Sequence, residues 1–129
     1  MQNWGISLYL YKPTEQMETP QKTPAELFAA QALASQVKKE LTENILPYWM
    51  GKMTNPDGGF YGRIDGLENL DPESPVGNIM TARMLWTFAS AYRLLGNQEY
   101  LDMALRAKDF IISNFYDPEL GGTYWSLSS

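Results

Sequence analysis

A short motif recurs in this chain, and the recurrence constrains the fold more than any other feature. Gly58-Gly59-Phe60-Tyr61 returns 63 positions later as Gly121-Gly122-Thr123-Tyr124. Each copy follows a Pro-acidic pair, Pro56-Asp57 and Pro118-Glu119, and each follows a stretch with helical periodicity. The spacing predicts a repeat of helix, helix and short Gly-Gly hairpin. A single unit of this kind cannot bury its own apolar side, so such units stack on one another. The expected class is all-α: αα-hairpin repeats with short Gly-Gly β-hairpin excursions.

The helices can be placed by their start and stop signals. Thr23-Pro24-Ala25-Glu26 offers a cap, a proline at the first helical position and a glutamate three residues after the cap. Leu27, Ala30, Ala34, Val37, Leu41 and Ile45 then recur at helical spacing. Pro47 disfavours helical geometry at Leu46, so this helix is expected to end or kink there. Residues 1–22, interrupted by Pro13 and Pro20, read as an unstructured lead-in to one domain over 23–129. Residues 51–77 are rich in turn formers and read as a two-stranded excursion.

Residues 78–95 are the most apolar stretch. Apolar side chains wrap nearly its whole circumference, which predicts an inner helix buried on all sides with Trp86 in the core. Gly96 ends it and Asn97 caps a third helix. In that helix Leu101, Ala104, Leu105, Ile111, Ile112 and Phe115 form an apolar side, while Asp102, Arg106 and Asp109 are expected to face water. About one and a half repeats are present, so the inner helix has few neighbours. Its apolar face is a candidate surface for self-association.

Composition removes several kinds of chemistry. Among 129 residues there is no histidine and no cysteine. That excludes a disulfide scaffold, a thiol nucleophile, a Ser-His-Asp triad and a zinc site built on Cys or His. It also removes the side chain that titrates nearest neutrality. The net charge of -5 argues against nucleic acid and against an anionic membrane as partner. No signal peptide or membrane span stands out, and a cytoplasmic location is expected.

Several segments together resemble the N-acylglucosamine 2-epimerase family, nearest its cellobiose 2-epimerase branch. They are Glu40-Leu41-Thr42-Glu43-Asn44-Ile45-Leu46-Pro47-Tyr48-Trp49, Asp57-Gly58-Gly59-Phe60-Tyr61-Gly62-Arg63-Ile64-Asp65, Thr81-Ala82-Arg83-Met84-Leu85-Trp86-Thr87-Phe88 with Ala91-Tyr92-Arg93-Leu94, and Gly121-Gly122-Thr123-Tyr124-Trp125-Ser126. The resemblance runs through about residues 37–126 and implies part of an (α/α)6 barrel. It implies reversible epimerisation at C2 of a reducing-end sugar, of the cellobiose or N-acylglucosamine/mannose type, with no metal or organic cofactor. One histidine would remove the C2 proton to give an enediolate and a second would return it on the other face, as suits a hydrogen α to a carbonyl. The family places those histidines downstream of the segments matched here. The chain is therefore expected to be the N-terminal third of such an enzyme, inactive alone.

The resemblance places one catalytic part here. The family's Asn-Ser/Ala-Arg triplet falls on Thr81-Ala82-Arg83, with threonine where asparagine is usual. Arg83 matches the arginine at the sugar's O1/O2 region, where a fixed cation would stabilise the enediolate. Ion pairing with a carboxylate such as Asp65 is its plain structural alternative. Phe60, Tyr61 and Trp125 are candidate sugar contacts, against the alternative of hairpin packing. The acidic residues Asp57, Asp65, Glu68, Asp71 and Glu73 read as a solvated loop. Two of them would have to act as an acid/base pair if the chain were instead a glycoside hydrolase on an α/α toroid. A non-catalytic αα-repeat interaction module is the third reading.

Overall fold

The computed structural model describes residues 21–128, so most of the expected lead-in, residues 1–20, lies outside the described residues. The chain divides into two compact units, Met1–Gln36 and Val37–Ser129. Helix α1 (Pro24–Glu40) starts in the first where its cap is written and ends in the second. The Glu26 N–H donates to Thr23 Oγ1 at 3.3 Å, and the Thr23 N–H donates back to Glu26 Oε2 at 2.8 Å. These reciprocal bonds satisfy two of the donors that a helix start leaves free. They also hold the Glu26 carboxyl below its ordinary range, the Thr23 backbone N–H contributing most. None of the residues of α1 is buried.

The expected stop at Pro47 is replaced by a change of helical pitch. Leu41–Ile45 form a π-helical turn, and helix α2 (Leu46–Lys52) continues beyond it. A proline inside a helix lacks a donor and crowds the preceding turn. The wider π turn makes room for the ring, and Pro47 then occupies the first turn of α2, where its missing N–H is harmless.

The rest of the second unit is built on an antiparallel helix pair. Helix α3 (Asn78–Leu95) closes on Gly96 in the left-handed conformation, whose N–H donates to the Tyr92 carbonyl at 2.8 Å. Helix α4 (Gln98–Phe110) opens on Asn97, whose Oδ1 accepts from the Glu99 N–H at 3.0 Å. The two helices pack together through Met84, Phe88 and Ala91 of α3 and Tyr100, Met103, Ala104 and Ala107 of α4, with Leu46 and Phe60 joining the same cluster. Among the described residues no helix is long and apolar enough to cross a membrane.

Helix α3 is not buried on all sides. Thr81, Met84, Phe88 and Ala91 are buried, whereas Ile79, Arg83, Trp86 and Leu94 are exposed. Hydrophobic pattern reports what a helix is able to bury, and packing partners decide what it does bury. Here α4 covers one side. Trp86, read as core, is 73% exposed. Two readings of α4 and of the π-helical turn that follows it (Ile111–Phe115) change as well. Leu105 and Ile112 are exposed, and Arg106 turns inward. Its Nη1 donates to the carbonyls of Asn55 at 3.0 Å and Gly59 at 3.3 Å, fastening the first Gly-Gly turn to α4.

The repeated motif is a repeated structure. The Tyr61 N–H donates to the Met53 carbonyl at 2.8 Å, and the Tyr124 N–H donates to the Phe115 carbonyl at 2.8 Å. Asn55 Oδ1 accepts from the Asp57 N–H at 3.0 Å, and Asp117 Oδ1 accepts from the Glu119 N–H at 2.9 Å. Single antiparallel bridges, Thr54 to Phe60 and Tyr116 to Thr123, close the two hairpins. Leu120 is the extra residue of the second copy. All four glycines have positive φ, which explains why each copy needs a glycine pair.

Gly59 is the most constrained of these. Its φ is +62°, and a Cβ there would fall inside the Phe110 ring. Gly59→Ala is therefore expected to destabilise the fold by more than about 1 kcal/mol in urea melts, whereas Gly66→Ala, with open space and no positive φ, stays within about 0.5 kcal/mol.

Candidate active site

Two short sheets bring the hairpins to the start of α3. Strand β1 (Arg63–Ile64) pairs antiparallel with β2 (Leu70–Asp71), forming the excursion expected between residues 51 and 77. Strand β3 (Val76–Gly77) directly precedes α3 and pairs with β4 (Ser126–Leu127). The Asn78 N–H donates to the Trp125 carbonyl at 3.0 Å, and Asn78 Nδ2 donates to the Tyr124 carbonyl at 3.2 Å. The first hairpin arrives at the same end. A Cβ on Gly62 would collide with the Pro75 carbonyl, so only glycine permits that close backbone approach. Both hairpins therefore converge on the N-terminal end of α3.

Arg83 lies in the second turn of that helix, on its exposed side. Among the described residues its guanidinium has no ion pair, so the alternative of pairing with Asp65 is not what is seen. Asp65 is occupied within its own turn. Its carboxylate accepts from the Leu67 and Asn69 N–H groups at 2.8 Å each and from Asn69 Nδ2 at 2.9 Å. Asn69, through its side chain first and its backbone second, holds the Asp65 carboxyl below the usual range. Glu68 pairs with Lys52 at 3.0 Å, and Asp71 Oδ1 accepts from the Glu73 N–H at 3.3 Å. These acids serve turns and a surface ion pair. Among the described residues no group of three or more acidic residues could hold a metal ion.

Thr81, in the position where the family has asparagine, is fully buried, and its hydroxyl donates to the Gly77 carbonyl at 3.1 Å. It faces the core and ties the first turn of α3 to its cap. Phe60 is 1% exposed, locked between the hairpin and the helix pair, and has no surface left for a ligand. Tyr61 is half-buried beside it. Trp125 is 76% exposed, with its backbone bound to the start of α3. The Trp125 backbone thus meets the first residue of α3, Arg83 lies in the second turn of that helix, and Phe60 belongs to the core. In the second hairpin the N–H groups of Leu120 and Glu119 hold the Asp117 carboxyl below its usual range, and the charge on Asp117 pushes the Tyr124 hydroxyl up.

Arg106 is the residue that pattern reading missed. An arginine among acids on an amphipathic helix reads as a solvent-facing charge. Its actual partners, two turn carbonyls about 50 positions upstream, leave no mark on local sequence.

The chain can now be set beside known proteins. The family model for N-acylglucosamine 2-epimerase (GlcNAc 2-epimerase) matches residues 59–129, from the second glycine of the first turn through α3, α4 and the second Gly-Gly turn. The chain is similar to a cellobiose 2-epimerase of Bacteroides fragilis, 56% identical over 97 residues, covering 74% of this chain and 25% of the relative. It is also similar to one of Ruminococcus albus, 42% identical over 96 residues, covering 74% and 24%. The solved structure of cellobiose 2-epimerase from Spirochaeta thermophila superposes with a TM-score of 0.74 at 37% identity, covering 83% of this chain and 26% of that one. The chain spans about a quarter of the length of the curated relatives it matches. The match across more than half of its residues shows that the chain belongs to the N-acylglucosamine 2-epimerase family.

Proposed function

We propose that this chain is the arginine-bearing segment of a sugar 2-epimerase, and that its helices form part of an (α/α)6 barrel. Family membership supports the reaction class. The curated relatives are named cellobiose 2-epimerases, which supports a reducing-end glucose unit as substrate. The observation that carries the reading is the position of Arg83. It is an exposed cation, without an ion pair among the described residues, beside the end of α3 where both hairpins meet.

The chemistry follows from the substrate. In the ring-opened sugar the C2 hydrogen lies α to the aldehyde. A base removes that proton, and negative charge spreads over O1 and O2 of the enediolate. A guanidinium donates two parallel N–H bonds in a fixed fork, which fits a pair of oxygens on adjacent carbons. Returning the proton to the opposite face of C2 inverts that carbon alone. The reaction needs two bases of near-neutral pKa, and these 129 residues contain no histidine. In this reading both bases come from residues outside them.

A chimera tests this directly. The matching 97 residues of the Bacteroides fragilis relative are replaced by those of this chain. The chimera is expected to convert cellobiose to its C2 epimer at a rate comparable to the parent, and the isolated chain to produce none. A folded but inactive chimera would count against the reading, as would epimer formed by the isolated chain.

A further inference from the structure

We propose that Arg106 is a positioning residue for the epimerisation: it fixes the first Gly-Gly turn and, through that turn, the part of α3 that carries Arg83. The proposal rests on the epimerase reading above and adds to it a residue that acts through Arg83.

Arg106 is aimed at backbone and not at charge. Its Nη1 donates to the carbonyls of Asn55 at 3.0 Å and Gly59 at 3.3 Å, the two ends of the turn. Asp57 and Asp109 line the same hollow, yet among the described residues neither forms an ion pair with it. The two carbonyls do not depend on Arg106 for a partner. The Asn55 carbonyl also accepts from the Gly58 N–H at 3.1 Å, and the Gly59 carbonyl from the Asn55 N–H at 3.3 Å. Removing the guanidinium therefore leaves neither acceptor unsatisfied, so the cost to folding is small. What goes is the directional link between the turn and α4. The Phe110 ring still packs against Gly59, but such a contact fixes distance better than orientation.

Two paths lead from the turn to α3. The residue after Gly59 is Phe60, which shares one buried cluster with Met84, the residue next to Arg83. Further on, Gly62 meets the Pro75 carbonyl so closely that a Cβ would collide with it. Pro75 is followed directly by β3 and then by α3. A displaced turn thus disturbs both the packing beside Arg83 and the start of its helix, because a close-packed interior transmits strain. A guanidinium fork serves the enediolate only when it meets both oxygens, and a misplacement of about 1 Å at such a contact costs up to about 10²-fold in rate.

The test is a double-mutant cycle in the chimera described above, read as kcat for cellobiose. Arg106→Met keeps the apolar stem and loses the donors. It is expected to lower kcat about tenfold and to move KM about twofold or less. Arg106→Lys should stay within about threefold of the parent, because one ammonium nitrogen donates to both carbonyls as Nη1 does. Made on top of Arg83→Gln, Arg106→Met should lower kcat by about twofold or less, since the residue that it positions is gone. An equal factor in both backgrounds would mark a general effect on the scaffold and overturn the proposal. So would an unchanged kcat in Arg106→Met, a loss in Arg106→Lys as large as in Arg106→Met, or an Arg106→Met chimera that does not fold. Each of these leaves the epimerase reading standing. A chimera inactive before any substitution overturns that reading and the role of Arg106 with it.

Discussion

Arg83→Gln in the chimera is expected to lower kcat for cellobiose epimerisation by about 10²- to 10³-fold. The developing enediolate is the species that Arg83 meets, so the loss should fall on kcat more than on KM. Arg83→Lys should lie between the two, because lysine keeps the charge and loses the two-pronged fork. Stability should barely move in either variant. Arg83 is exposed and has no ion pair among the described residues, and substitutions of that kind stay within about 0.5 kcal/mol. Steady-state kinetics beside a urea melt separates the two effects. A large loss of activity with an equal loss of stability would assign Arg83 to the scaffold.

The second large effect concerns the opposite side of the same helix. Phe88→Ala is expected to destabilise the chain by about 3–5 kcal/mol. Phe88 is buried between Met84 and Ala91 of α3 and the facing α4, with the Tyr100 ring at a centroid distance of 6.3 Å. Removing the ring leaves a cavity where the two helices meet. A domain of this size has a total stability of about 5–15 kcal/mol, so the loss takes much of it. Trp86→Ala, two residues away, should cost less than about 0.5 kcal/mol because little of the indole is covered. Chemical denaturation followed by circular dichroism gives both values. Similar losses at the two positions would mean that α3 is covered on both sides.

That pair of residues shows where sequence reading succeeds and where it fails. The limits of α3, its glycine stop and the Asn97 cap were all legible, because each is set by bonds between residues a few positions apart. The duplicated hairpin was legible for the same reason. Its glycines answer a local need for positive φ. Phe88 and Trp86 look alike in pattern, yet only a neighbouring helix decides which is covered. Arg106 looks like a surface charge until two distant carbonyls meet it. The pairing of β3 with β4 joins residues about 50 positions apart and has no sequence signature of its own. At Pro47 the breaking tendency was read correctly, and the remedy, a π turn just before it, was not. Of the candidate site, Arg83 is proposed through its family motif, and Phe60, for which the sequence already offered hairpin packing beside sugar contact, is buried.

If this chain contributes Arg83 to a reaction passing through an enediolate at C2, the C2 hydrogen exchanges with solvent, and deuterium reports that exchange. The chimera is incubated with cellobiose in heavy water, and the recovered sugars are read by NMR. Deuterium is expected at C2 of the reducing-end unit and at no other carbon, with the rate falling by about 10²-fold or more in Arg83→Gln. Conversion of cellobiose without deuterium at C2, or exchange that persists undiminished in Arg83→Gln, would contradict it.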